Sequence, residues 1–103
     1  MEKIKGTFKG MVVDSGDVGQ EFQDFINHTT EKSGLDPKAH QFACIAFLTV
    51  KEVAMGVSSH TKIAKQLGAT KDEIRGIFFA GMPIMGVKIS DYYKIAMDAY
   101  DED

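Results

Sequence analysis

Apolar and polar positions alternate along this chain with the period of an α-helix over most of its length. Val18, Phe22, Phe25, Ile26 and Thr29 recur every three or four residues, with Gln20, Glu21, Gln23, Asp24 and Asn27 between them. That spacing predicts an amphipathic helix over 17–33, closed by Gly34 in a left-handed cap. Asp36-Pro37 restarts the chain as N-cap and first helical residue. The next helix is apolar nearly all round, with Phe42, Ala43, Cys44, Ile45, Ala46, Phe47, Leu48, Val50 and Val53. A helix of that kind must be covered on every side.

Met55-Gly56-Val57-Ser58-Ser59 reads as a break, with the serines capping the helix after it. Val57, His60, Ile63, Ala64 and Leu67 then share one face. Gly68 ends that helix, and Thr70 with Glu73 forms a capping box for the next. Ile74, Ile77, Phe78, Gly81 and Met85 face inward there. Pro83 removes one backbone donor and should kink or end this helix. Ser90 caps a last helix with Tyr92, Ile95, Ala96 and Ala99 inward. Residues 1–16 show no strong period, so Phe8, Met11, Val12 and Val13 read as an irregular arm or a short strand. No strand pair and no linker is evident. The pattern predicts one all-α domain over 1–103, a compact bundle of about five to six helices.

Composition narrows the function. The chain is 103 residues long, 44% hydrophobic and 26% charged, with a formal net charge of −3. Lysines and acids interleave, Arg75 is the sole arginine, and no basic stripe offers itself to nucleic acid. Asp98, Asp101, Glu102 and Asp103 read as a solvated, fraying acidic end. The longest strictly apolar run, Phe42 to Leu48, falls far short of the ~20 residues of a membrane span. The start has no apolar core after its charges, so it does not read as a signal peptide. These features predict a cytoplasmic protein without a membrane anchor. The apolar 42–53 segment predicts a homo-oligomer, because a lone small bundle cannot cover it.

Three residues carry the candidate chemistry. His60 lies on an apolar face, where an imidazole can be tuned near neutrality and can move a proton. Cys44 is the only cysteine, which excludes a disulfide or a thiolate metal cluster within one chain. In apolar surroundings its thiol is inert; otherwise it is a one-cysteine peroxidase centre that needs a partner thiol. Glu52 is the nearest acid before His60. On an unbroken helix eight residues set the two side chains about 80° apart, so pairing needs the kink. The alternative is that Glu52 meets a lysine or solvent. His40 with His60 lacks metal-ligand spacing, and nothing in the sequence implies a cofactor. The methionines read as core filler.

Asp36-Pro37-Lys38 before an apolar helix, followed by His60-x3-Ala64-x3-Gly68-Ala69-Thr70-x2-Glu73-Ile74, resembles the carboxymuconolactone decarboxylase family, which includes alkylhydroperoxidase D-like proteins. The resemblance spans about 35–97. It implies an alkylhydroperoxidase D-like all-α fold, assembled as a homo-trimer or homo-hexamer, with His60 as the catalytic imidazole. Peroxidase-type members carry a Cys-x-x-Cys pair before that histidine and a glutamate one helix earlier. Here those places fall on Val53, Gly56 and the neighbourhood of Gln41. A dithiol relay needs two sulfurs, so that mechanism is not expected. In decarboxylase-type members a glutamate stands four residues before the histidine, which is Gly56 here. The expectation is an apolar pocket beside His60 that binds a small organic molecule, with His60, assisted by Glu52, as acid/base of a lyase reaction. Peroxiredoxin-type activity through Cys44, or a non-catalytic oligomeric binding protein, are the rivals.

Overall fold

In the computed structural model, which describes residues 2–102 and side chains over 6–102, the chain folds as six α-helices and one 3-10 segment. The helices are α1 (Glu2–Asp14), α2 (Asp17–Lys32), α3 (Pro37–Val50), α4 (Ala54–Gln66), α5 (Lys71–Met85) and α6 (Ser90–Asp101), with Gly86–Ile89 as the 3-10 segment. No strand occurs among the described residues. The chain divides into two compact units, Met1–Leu35 and Asp36–Asp103.

The first unit is a helical hairpin. Residues 2–14 are helix rather than an irregular arm. Phe8, Met11 and Val12 do carry a helical repeat, but Gly6 and Gly10 dilute its signal. Gly16 turns the chain at φ 63°, where a side chain would be strained. Gly19 is buried against α1, and a Cβ there would collide with the Val12 carbonyl oxygen. Phe8 and Phe22 meet at 6.2 Å between ring centres. On the expected apolar face of α2, Ile26 is half-buried, while Phe25 is 63% exposed and Val18 65%.

The second unit holds the core. Asp36 caps α3, its carboxylate accepting from the Ala39 backbone N–H at 3.0 Å. The break after α3 falls at Lys51–Val53, earlier than the serines suggested. There Glu52 takes φ 62°, the only non-glycine at positive φ among the described residues. Gly56 lies inside α4 and lets it approach α3, since a Cβ would come within 2.6 Å of Leu48 Cδ2. The Thr70–Glu73 capping box opens α5 with both of its hydrogen bonds, at 3.0 and 2.9 Å. Pro83 sits two residues before the last residue of α5, Met85, and Gly86 is the C-cap. Ser90 does not cap α6; its hydroxyl donates to the Val87 carbonyl oxygen.

Ile45, Val57, Ala64, Ile74, Phe78 and Ala96 are fully buried and form one cluster. Tyr93 meets Phe78 edge-on at 5.7 Å. Thr61 is also fully buried, and its hydroxyl has no hydrogen-bond partner among the described residues. Leu67 lies outside this core, 45% exposed. The acidic end is not frayed up to Glu102. Lys71 grips Asp101, Lys62 grips Glu102, and Lys65 donates to the Tyr100 carbonyl oxygen while lying over its ring.

Candidate functional site

The turn at Lys51–Val53 folds α4 back on α3, which brings residues nineteen apart in sequence into contact. Gln41, near the start of α3, is buried, and its Oε1 lies 2.7 Å from Nδ1 of His60 on α4. A carboxamide oxygen only accepts, so with Oε1 facing the ring Nδ1 carries the hydrogen and donates it. The half-buried ring is held below its ordinary basicity. Burial, which disfavours the imidazolium, is the main cause, and the nearby His40 adds to it. The result is an imidazole biased towards its neutral form, with Nε2 free to accept a proton.

Gln41 is a residue that sequence reasoning met only as the place of a missing glutamate. A signal for it exists. Gln41, Ile45 and Thr49 form the buried stripe of α3, and two of these three are polar. Thr49 satisfies itself within the helix, its hydroxyl donating to the Ile45 carbonyl oxygen at 2.8 Å. The carboxamide of Gln41 instead reaches across to another helix.

The other sequence candidates are held differently. Glu52 occupies the strained turn, and its carboxylate meets Lys88 of the 3-10 segment at 3.0 Å. Its partner is therefore a lysine, while Nδ1 of His60 is bonded to Gln41. Cys44 is half-buried on α3, and burial pushes its thiol above the ordinary value, away from the reactive thiolate. At Gly56, one of the two places where dithiol relatives carry sulfur, Leu48 fills the space a side chain would need.

The structure also contains an apolar cleft of about 160 Å³, but not beside His60. Its walls come from α3, α5 and the 3-10 segment, including Ala46, Val50, Phe78, Ile84 and Ile89. None of Gln41, Cys44, Glu52 or His60 lines it. This cleft is lined by α3 residues 46, 49 and 50, whereas Gln41 presents its amide to α4. Ile84 at the cleft is 81% exposed, and neighbouring Phe47 and Val87 are 75% and 89% exposed. No helix among the described residues is long and apolar enough to cross a membrane.

Compared with known families, residues 16–90 match the model of the carboxymuconolactone decarboxylase family. No curated protein and no solved structure matches the chain.

Proposed function

This chain belongs to the carboxymuconolactone decarboxylase family, and from that premise we propose that it binds a small organic molecule at His60, where the imidazole transfers a proton in a lyase-type reaction. The observation that carries this reading is the Gln41–His60 hydrogen bond at 2.7 Å. It orders the ring and leaves Nε2 as the acceptor. A base must be unprotonated before it works, and burial of this ring favours that form. Glu52 has a minor place in this scheme, since its carboxylate faces Lys88.

The family's thiol chemistry finds less support here. One protonated, half-buried thiol at Cys44 lacks both a resolving sulfur and an activating neighbour. A non-catalytic binding role is favoured by one specific observation, the apolar cleft that no ionisable group lines. On either reading, Phe47, Ile84 and Val87 are covered by further copies of the chain as a homo-oligomer.

Turnover separates the two. Small lactones and their carboxylated forms, offered to the wild type and to His60→Ala, are to be followed for loss of the lactone and release of CO2. The enzyme reading expects turnover that falls roughly 100-fold or more in the variant, the usual contribution of a positioned acid/base group. Equal turnover in the two proteins removes His60 from the chemistry, and no turnover of any lactone by a well-folded oligomer leaves the binding role. Native mass spectrometry reports the assembly, and a monomer at micromolar concentration would refute the oligomer.

A further inference from the structure

We propose that Gln41 is a positioning residue that locks His60 as its Nδ1–H tautomer, so that Nε2 is the nitrogen that works on a bound molecule. The proposal rests on the reading of His60 as the proton-transfer group and says which atom performs it and why. With Oε1 of Gln41 turned to the ring, one assignment follows. Oε1 of Gln41 is 2.7 Å from Nδ1 and has no hydrogen to give. In that orientation the Nε2–H tautomer would set two lone pairs against each other at 2.7 Å. Gln41 is buried, so losing this contact would also strand its amide oxygen.

The uncharged partner matters as much as the contact. A carboxylate at this place would accept the same hydrogen and would also stabilise the imidazolium, raising the ring's basicity. A carboxamide keeps the orientation and omits the charge. His40 on α3 is the titratable neighbour whose charge is felt at the ring, and it acts in the same direction by disfavouring a second cation. Gln41 also cannot take up a proton near neutrality. The pair therefore passes one proton at a time through Nε2, and Gln41 does not act as a second carrier. Such a site suits abstraction of a proton from a weakly acidic C–H or O–H group, followed by its return to the same nitrogen.

Long-range ¹H–¹⁵N NMR of the imidazoles in the intact protein tests this, with His60→Asn identifying the His60 signals. The wild type should show Nδ1 protonated and Nε2 bare at neutral pH. In Gln41→Leu the tautomer ratio should move about fivefold towards Nε2–H, the net worth of a neutral hydrogen bond. In Gln41→Glu the Nδ1–H form should persist while the ring titrates at higher pH than in the wild type. That variant keeps the size of the side chain and decides the matter if the leucine variant fails to fold. A wild-type ring protonated on Nε2, or a ratio indifferent to Gln41→Leu, overturns the proposal. These readouts need no substrate. A failed turnover assay with the Nδ1–H tautomer intact would count against the function and not against Gln41.

Discussion

At the scale of single residues, burial decides how His60 responds to acid. The folded ring holds its proton less firmly than the unfolded ring, whose ordinary value is 6.5. Below that pH the unfolded chain takes up the proton first, so stability falls as the solution is acidified and levels off only below the folded value. Denaturant midpoints should drop between pH 7 and pH 5.5, and His60→Gln should flatten that slope. A slope unchanged in the variant would assign it to other groups. Thr61, next to it, presents the opposite case. Its buried hydroxyl has no partner, so Thr61→Val should raise the unfolding free energy by about 1 kcal/mol. A loss of stability in a denaturant titration would mean that the hydroxyl is satisfied after all. His60 was legible in the sequence because a polar ring on an apolar face stands out locally. Its partner was not, since Gln41 is nineteen residues away and only the α3–α4 turn brings them together.

The elements themselves obey local rules where their signals are local. Asp36-Pro37 and the Thr70–Glu73 box need only neighbours within four residues, and both cap their helices as the sequence implies. The failures have physical reasons too. α1 was obscured by Gly6 and Gly10, which carry poor helix propensity but cause no clash within it. Glycine usually marks a helix break, and the sequence places the one between α3 and α4 around Gly56. The chain breaks three residues earlier, and Gly56 serves close packing against Leu48 instead. Gly19 is the sharper example of glycine used for proximity. Ala has the better intrinsic helix propensity by about 1 kcal/mol. Even so, Gly19→Ala should destabilise the hairpin by about 2 kcal/mol, because the added carbon meets the Val12 backbone carbonyl as well as the Ser15 hydroxyl, and the backbone cannot swing aside. Loss of amide protection in α1 and α2, measured by hydrogen exchange, would show it; unchanged protection would contradict the close approach.

Across the whole molecule, apolar side chains are divided between a modest core and a large open surface. The core of the second unit is built from Ile45, Val57, Ile74, Phe78, Ile89, Met97 and alanines. Phe47, Val50, Ile84 and Val87 remain open around the cleft. The sequence foretold the excess, because α3 is apolar on all sides, but not where the surplus would collect. That depends on which face of α3 meets α4 and which meets α5. The turn that sets those faces carries a hidden tension. Glu52 sits at φ 62°, a conformation that costs a non-glycine residue roughly 1–2 kcal/mol. Its exposed pairing with Lys88 returns less than about 1 kcal/mol. Glu52→Gly should therefore make the protein more heat-resistant, by roughly 1 kcal/mol at the melting temperature, and an unchanged or lower melting point would argue that the pairing outweighs the strain. If the same change slows the reaction, robustness and activity pull in opposite directions at one position, and an acid kept there at a thermodynamic disadvantage is held for its chemistry.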